Sequence, residues 1–332
     1  MSSSPSINSN DEIKETYKKI SHKDHVLLAP DTYVGSTERH TENLYVYDNS
    51  DEFDRIINKE VTYVPALYKI FDEVVVNATD QCTRMKQNKD GKQVTSIKIN
   101  IDTDNNQIEV YNNGEGISVV YLDEYECYAP ELIFGTLLTS SNYNKDEEKT
   151  VGGKNGYGAK LANIFSKKFI IETVDSKNKK KFIQEYSNNM NDKSEPKITR
   201  STGQPYTKIT FEPELERFNM DRFDDDIVSI MKKRAYDISA WTDKTVTVQL
   251  NGKKIECKTF EKYVDLYLGD KIERPRIYQQ INDRWEIVAT YSDDDVFQQV
   301  SFVNGINTVR GGKHVEYISD QIRDKLVEYM HK

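Results

Sequence analysis

The sequence predicts an α+β fold, and three local patterns carry this prediction. Apolar residues recur at helical spacing after Pro65, which is typical of a helix that turns one face to a core: Leu67, Phe71, Val74 and Ala78. Ile97, Ile99 and Ile101 alternate with polar residues and indicate a half-buried strand. A glycine cluster at Gly152–Gly158 leads directly into another helical stretch, Ala159–Phe165.

The same two periodicities place the other elements in chain order. Those predicted for a first unit are the strand Ile108–Tyr111, the helix Ala129–Leu138, the strands Phe169–Val174, Phe182–Tyr186 and Lys208–Phe211, and a helix from Asp224 to Asp237. A second unit is expected to begin near Trp241 with a hairpin, Val246–Leu250, closed by an Asn251-Gly252 turn. Further strands at Trp285–Tyr291 and Gln299–Val303 precede a final helix with one apolar side: Ile318, Ile322, Leu326 and Met330.

Composition excludes several classes of protein. The chain has 332 residues, enough for two domains, and a formal net charge of −9, which argues against a wholly basic nucleic-acid binder. Its three cysteines form no CxxC pair, so we expect neither a zinc site nor a disulfide framework. We therefore expect the protein to be in a reducing compartment. No apolar run of about 18 residues occurs, so a soluble, intracellular protein is expected. Residues 1–12 are rich in Ser and Asn and are predicted to be disordered.

The first helix carries a polar row that its apolar side does not explain. Glu73, Asn77 and Gln81 follow one another at intervals of four residues, and Asp80 and Arg84 lie near the same line. The row is either a solvated face or one wall of a ligand pocket. In a pocket, Asn77 would offer an oxygen to a hard cation such as Mg²⁺, and Glu73 would orient and deprotonate a water molecule.

Two glycine-containing loops provide further candidates. Asn112–Gly116 ends a strand, where it is either an ordinary turn or a close approach of the backbone to a flat ligand, with Asn112 reading a base edge. Gly152–Lys160 runs into a helix, a context that favours phosphate. It lacks the Gly-Lys-Ser/Thr of a Walker A loop and the third glycine of a dinucleotide fingerprint.

In this order, the acidic-amide helix, the strand-end loop and the glycine-rich segment resemble the GHKL ATPases, which include gyrase, heat-shock chaperones, histidine kinases and mismatch-repair proteins. Within that class the chain is similar to the N-terminal ATPase region of eukaryotic-type type IIA DNA topoisomerases. The stretches that carry this resemblance are His25–Ser36, Val64–Asp80, Leu132–Tyr143, Val151–Ser166, Tyr206–Pro213 and Ser301–His314.

The resemblance implies a GHKL (Bergerat) α/β sandwich at residues 13–240, with an N-terminal dimerisation arm. A truncated transducer domain of ribosomal S5-like α/β fold follows at residues 241–332. The family's Gln-x-Lys loop, whose lysine reaches the γ-phosphate, does not follow Gly311-Gly312, so slow hydrolysis is expected. The acidic metal-binding domain and the tyrosine used for DNA cleavage are also absent from these 332 residues.

The resemblance also implies ATP and Mg²⁺ as ligands and assigns roles to individual residues. Glu73 would be the general base and Asn77 the Mg²⁺ ligand, while Arg84 would line the nucleotide pocket. Asn112 would contact adenine, with Thr207 nearby. The ribose and phosphates would meet Ser140, Ser141 and Asn142. The triphosphate would be wrapped by Gly153, Lys154, Asn155, Gly156, Tyr157, Gly158, Ala159 and Lys160.

For the whole enzyme, the resemblance implies an ATP-driven dimer gate that passes one DNA duplex through a transient break in another. The partners would be a second copy, met through an arm containing Tyr17, and duplex DNA, with no membrane. The compartment would be a eukaryotic nucleus, or a viral factory in a host cell. Two alternatives are a clamp of the chaperone or mismatch-repair type and a catalytically inactive dimerisation module. The segments 139–143 and 310–314 disfavour the first, and the presence of Glu73 and Asn77 disfavours the second.

Overall fold

The computed structural model describes residues 20–50, 53–88, 91–137, 157–272, 274–292 and 296–332. In these ranges the helices are α1 (His22–Leu28), α2 (Pro65–Gln87), α3 (Ala129–Gly135), α4 (Gly158–Ile164), α5 (Asp225–Trp241), α6 (Phe260–Leu268) and α7 (Lys313–Met330). The strands up to the end of the first sheet are β1 (His40–Asp48), β2 (Arg55–Tyr63), β3 (Ser96–Asp102), β4 (Gln107–Asn113), β5 (Tyr121–Leu122), β6 (Cys127–Tyr128), β7 (Ser166–Asp175), β8 (Lys180–Ser187), β9 (Asp192–Lys193), β10 (Lys197–Arg200), β11 (Tyr206–Pro213), β12 (Thr247–Leu250) and β13 (Lys253–Lys254). The later strands are β14 (Arg276–Asn282), β15 (Trp285–Thr290), β16 (Phe302–Val303) and β17 (Ile306–Asn307).

A nine-stranded sheet forms the centre of the molecule. Its strands follow the order β10-β8-β7-β11-β4-β3-β12-β13, and β9 pairs with the outer side of β8. The pairs are antiparallel except for β12, which runs parallel to β3. Because side chains alternate between faces, each strand places its apolar residues on the face covered by helices. Ile99, Val110, Ile209 and Ile171 are thus register neighbours across four strands and are all buried.

The long helices cover this face for reasons that are visible in the sequence. Pro65 occupies the first turn of α2, where its missing N–H costs nothing, and the predicted residues Leu67, Phe71, Val74 and Ala78 are all buried. Asp224 caps α5 by accepting a hydrogen bond from the backbone N–H of Ile227 at 3.0 Å. The predicted helices of the first unit are therefore present, although α3 ends at Gly135.

One predicted element belongs to a different unit than expected. The hairpin of β12 and β13 was expected to open the second unit, but β12 pairs with β3 and extends the first sheet. The turn is held from that sheet, because the Asn251 side chain accepts a hydrogen bond from the N–H of Ile101 at 2.8 Å. Local periodicity identifies a hairpin but carries no information about a partner strand 150 residues earlier.

We call the elements from α6 to α7 the C-terminal unit. It contains the hairpin β14–β15, the shorter hairpin β16–β17, and α7, on which the predicted apolar residues Ile322, Leu326 and Met330 are exposed. The chain also forms an unpredicted hairpin, β1–β2, against α5. Within the described ranges, no helix is both long and apolar enough to cross a membrane.

Candidate functional site

At one end of the sheet, the face that is otherwise apolar ends in a row of polar side chains. On β4, Ile108 and Val110 are followed two residues later by Asn112, which is therefore on the same face and only 6% exposed. Asn112 is the direct register partner of Thr207 on β11. Thr207 is in turn the partner of Thr173 on β7. The structure thus brings the predicted pair Asn112 and Thr207 side by side, below α2.

Thr173, which the sequence analysis did not single out, fixes this row. Its hydroxyl lies 3.4 Å from that of Thr207 and donates to the carbonyl of Tyr206 at 2.8 Å. The same oxygen accepts a hydrogen bond from the backbone N–H of Ile117 at 2.9 Å. One buried hydroxyl therefore joins β11 to the loop after Asn112. Thr173 follows Phe169 and Ile171 at two-residue spacing on the same strand, and this alternation is the signal that could have identified it.

The loop after Asn112 needs its glycines for different reasons. Gly114 has a φ of +108°, which side chains with a Cβ rarely adopt. Gly116 lies so close to β7 that a Cβ there would come within 1.9 Å of the carbonyl oxygen of Val174. The carboxylate of Asp175 holds the next part of the loop by accepting the N–H of Val119 at 2.8 Å. These contacts fix the backbone beside Asn112 against the sheet.

Glu73 lies on α2 where the amino end of α4 meets it. A Cβ added to Gly158, the first residue of α4, would come within 2.1 Å of Glu73 Oε2. A side chain at this position would displace the Glu73 carboxylate, so the glycine lets the predicted phosphate loop end directly beside it. Lys69, one turn earlier on α2, forms an ion pair with Glu73. Burial by itself lowers the pKa of Lys69, but the charge of Glu73 raises it above its usual value.

The other polar residues of α2 continue the row away from Glu73. The Asn77 side-chain nitrogen donates to the carbonyl of Glu73 at 2.8 Å, which leaves the amide oxygen as the atom it would present to a cation. Gln81 donates to the carbonyl of Glu115 at 3.3 Å and so ties α2 to the loop after β4. Arg84 Nε is buried and has no hydrogen-bond partner within the described residues. The polar row is thus partly buried and is not a fully solvated face.

Lys160 and Tyr157 define the α4 side of the site. Lys160 is only 2% exposed, and burial lowers the pKa of its ammonium to about 8. Tyr157 packs with its ring centroid 5.8 Å from that of His22 and 6.2 Å from that of Tyr33. The Tyr33 hydroxyl lies 2.9 Å from Nδ1 of His25, so α1 is anchored to the start of α4. His22 and His25 both contact the Tyr33 hydroxyl.

Several predicted site residues lie outside the described residues, namely Tyr17, Ser140, Ser141, Asn142, Gly153, Lys154, Asn155 and Gly156. Ala159 is described and is buried in α4. In the part of the chain that the structure describes, no three His, Cys, Asp or Glu side chains come together as a metal site, and the three cysteines are unpaired. A cavity of about 370 Å³ lies in the C-terminal unit around Arg276 and Tyr278, and none of the predicted site residues lines it.

Comparison with known proteins identifies the class of this fold. The profile of the histidine kinase-, DNA gyrase B- and HSP90-like ATPases matches residues 62–217, which include α2, the loop after β4, and α4. The DNA gyrase B profile matches residues 259–332, essentially the C-terminal unit. The fold and the site therefore define a GHKL ATPase, as the sequence predicted.

Individual relatives narrow this class to one family. The ATPase region of Saccharomyces cerevisiae topoisomerase II is 45% identical, with a TM-score of 0.88 over 96% of this chain and 82% of that one. The ATPase and transducer domains of Balamuthia mandrillaris DNA topoisomerase II are also 45% identical, with a TM-score of 0.86 over 95% and 78% of the two chains. The chain therefore belongs to the type II DNA topoisomerase family and corresponds to its ATPase region.

Curated full-length relatives agree with this assignment. DNA topoisomerase 2 of Pisum sativum is 48% identical over 326 residues, which are 96% of this chain and 22% of the relative. Human DNA topoisomerase 2-alpha is 48% identical over 96% of this chain and 20% of its own length. The chain thus spans about a fifth of the length of the curated relatives that it matches. These relatives favour the topoisomerase prediction over the chaperone and mismatch-repair alternatives.

Proposed function

We propose that this chain binds and hydrolyses ATP as the N-terminal gate of a type II DNA topoisomerase. In the whole enzyme, ATP-driven dimer closure would pass one DNA duplex through a transient double-strand break in another. The observation that carries this proposal is the packing of Glu73 against Gly158. It brings a carboxylate to the end of the predicted phosphate loop, where a water molecule attacking a terminal phosphate has to be activated.

In this mechanism Glu73 accepts a proton from the attacking water. General-base catalysis requires a carboxylate held within hydrogen-bonding reach of that proton. Gly158 and Lys69 restrict where the Glu73 side chain can lie. The ion pair with the ammonium of Lys69 thus helps to hold the Glu73 carboxylate in place.

The residues around Glu73 suit a nucleotide bound with Mg²⁺. Asn77 contributes one amide oxygen, and Mg²⁺ is usually held by one or two protein oxygens together with substrate phosphates and water. When bound, Mg²⁺ would neutralise charge that develops on the phosphates. The buried Nε of Arg84, which has no hydrogen-bond partner among the described residues, is a donor that we assign to a ligand of this pocket. The chemistry of these side chains thus fits a nucleotide bound with Mg²⁺.

The base of the nucleotide would lie at the polar row of the sheet. Asn112 has an amide that can both donate to and accept from a base edge, and Thr207 stands beside it with a hydroxyl. Gly114 and Gly116 let the following loop pack against Val94 and β7, which fixes the backbone beside Asn112. The ribose and phosphates would contact Ser140, Ser141 and Asn142. The triphosphate would be bound by the loop from Gly153 to Lys160.

At the level of the whole chain, we place residues 13–240 in the ATPase domain with its arm and assign a transducer domain to the remainder. β12 and β13 extend the first sheet although they lie within the residues assigned to the transducer domain. A homodimer, duplex DNA as a partner, and a nuclear location or a viral factory belong to this proposal as well.

Dimer formation tests the gate directly. In sedimentation velocity, the chain with Mg²⁺ and a non-hydrolysable ATP analogue is expected to shift from monomer to dimer, because bound nucleotide would complete a surface that includes the partner's arm. Tyr17→Ala should bind the analogue but dimerise less, since Tyr17 is predicted to reach the other copy's nucleotide. A wild-type chain that stays monomeric at saturating analogue would contradict the gate.

The pH dependence of nucleotide affinity tests Lys160. A bound polyphosphate favours the protonated amine, so its pKa in the complex lies above the value of about 8 in the nucleotide-free protein. As pH rises above about 8, binding requires uptake of a proton. Affinity should then fall by up to about tenfold per pH unit until the pKa of the complex is reached.

Titration calorimetry with the ATP analogue between pH 7 and pH 9.5 provides the measurement, and Lys160→Arg is the matched control. The arginine keeps its charge over the whole range, so its affinity should vary much less with pH. Lys160→Met should bind weakly at every pH. The assignment fails if wild type and Lys160→Arg show the same dependence.

A further inference from the structure

Two consecutive cations on α5 are buried and take no part in the proposed chemistry. The side chains of Lys233 and Arg234 are 5% and 2% exposed. Lys233 Nζ lies 2.9 Å from Asp237 on its own helix, whereas Arg234 Nε lies 2.6 Å from Asp72 on α2. Buried charges are costly to retain even when paired, so the partner of each cation indicates what it does.

Arg234 reaches two different parts of the fold with one guanidinium. In addition to Asp72, it donates from Nη1 to the carbonyl oxygen of Gly305 at 2.8 Å. Asn304 and Gly305, with φ of +50° and +75°, form the two-residue turn of the hairpin β16–β17 in the C-terminal unit. A Cβ at Gly305 would lie 2.9 Å from the ring of Trp241, so the turn is tightly seated on α5.

The position of Asp72 makes this contact relevant to the site. Asp72 immediately precedes Glu73, and consecutive residues of a helix point in directions about 100° apart. Asp72 therefore faces α5 and Arg234, while Glu73 faces α4 and Gly158. The guanidinium is planar, with donors in a fixed arrangement. If the turn moves, Arg234 either leaves a buried donor unpaired or follows the turn and displaces Asp72.

We propose that Arg234 is a positioning residue, which holds Glu73 from the rear of α2 and makes the Asn304-Gly305 turn a control point for hydrolysis. The inference rests on the proposed function of Glu73. A shift of the turn would reach the carboxylate through two hydrogen bonds and one peptide unit. Misplacement of a catalytic group by about 1 Å can cost on the order of 100-fold in rate, so small shifts at Asp72 suffice.

Lys233 provides the matched comparison. It is adjacent to Arg234 and equally buried, and it also meets the C-terminal unit, with its ammonium 5.6 Å from the ring centre of Phe302. Its carboxylate partner, Asp237, accepts a hydrogen bond from the Tyr263 hydroxyl on α6 at 2.6 Å. This second ion pair thus joins α5 to the C-terminal unit, and among the described residues neither Lys233 nor Asp237 forms a hydrogen bond or an ion pair with α2. Its removal disturbs the junction but leaves Asp72 paired.

The test compares Arg234→Met with Lys233→Met in the full 332-residue chain. We expect Arg234→Met to lower kcat for ATP hydrolysis by about tenfold to 100-fold, while the affinity for a non-hydrolysable analogue changes by less than about threefold. Lys233→Met should lower the thermal midpoint at least as much and leave kcat per folded molecule within about twofold of wild type. Equal losses of kcat in both variants, or an unchanged kcat in Arg234→Met, would overturn the proposal.

A second pair of variants covers the case in which Arg234→Met does not fold. Arg234→Lys keeps the charge but cannot donate to Asp72 and Gly305 in the same geometry, so kcat should again fall. Gly305→Ala displaces the turn from Trp241 without changing Arg234, Asp72 or Glu73. It should lower kcat from outside the site, and wild-type kcat in both variants would contradict the proposal.

Hydrogen exchange in the nucleotide-free chain separates this inference from the proposed function. In Gly305→Ala and Arg234→Lys, amide exchange should rise both in residues 302–307 and in residues 69–77, whereas Lys233→Met should leave residues 69–77 unchanged. If wild type has no hydrolysis that depends on Glu73, the proposed function fails. The exchange data alone then test whether the Asn304-Gly305 turn is coupled to α2. Exchange that rises at 302–307 but not at 69–77 would refute it.

Discussion

Glu73→Ala is expected to reduce ATP hydrolysis by at least about 100-fold while nucleotide binding persists, because general-base catalysis typically contributes 10²–10⁴-fold. The residues proposed to hold the nucleotide, Asn112, Thr207 and Lys160, are on β4, β11 and α4 and do not depend on the Glu73 carboxylate. The measurements are single-turnover hydrolysis with excess protein and, separately, binding of a non-hydrolysable analogue.

Glu73→Gln provides the control for packing. The glutamine keeps the size of the side chain that Gly158 is built to accept, but it cannot take up a proton from water. Both variants should therefore lose hydrolysis to a similar extent, whereas a loss in Glu73→Ala alone would mean that the side chain only fills space. Normal turnover in Glu73→Gln would remove the assignment of the general base.

Much of the site could be predicted because it depends on short-range periodicity. Four-residue spacing on α2 placed Glu73 and Asn77 on one side of a helix. Asn112 was expected to begin a loop, but it lies within β4 on the apolar face of the sheet. The glycines of the loop after β4 and at the start of α4 were recognisable as points of close backbone approach. The resemblance added what spacing alone left open, namely which face of α2 is expected to meet a ligand.

The residues that escaped prediction act through contacts between distant parts of the chain. Thr173 is notable only because its strand lies beside β11, and Arg234 meets Asp72 across 162 residues of sequence. The partner of β12 is equally non-local. A buried arginine or threonine in a one-dimensional pattern looks like an interruption of the apolar stripe, and only the register of the sheet and the packing of α5 reveal its partner.

Substitution of Asn77 is expected to have the second large effect, a loss of Mg²⁺-dependent nucleotide affinity, because the two polar atoms of its side chain make separate contacts. The nitrogen donates to the Glu73 carbonyl on its own helix, which fixes the rotamer, and the oxygen is then the atom proposed to face Mg²⁺. Loss of even an outer-shell partner of a metal site typically costs about 10–100-fold in metal affinity, so removal of a proposed direct ligand should cost at least as much. Asn77→Ala should thus lose the Mg²⁺-dependent part of nucleotide affinity.

Two titrations of the ATP analogue, one with Mg²⁺ and one with a chelator, isolate this part. Wild type should bind more tightly with Mg²⁺, whereas Asn77→Ala should give nearly the same affinity in both titrations. Asn77→Asp restores an oxygen to the same position, so it should recover part of the Mg²⁺ dependence although it cannot donate to the Glu73 carbonyl. If Asn77→Ala keeps the full difference between the two titrations, Asn77 is not a metal ligand and its amide serves only to hold α2.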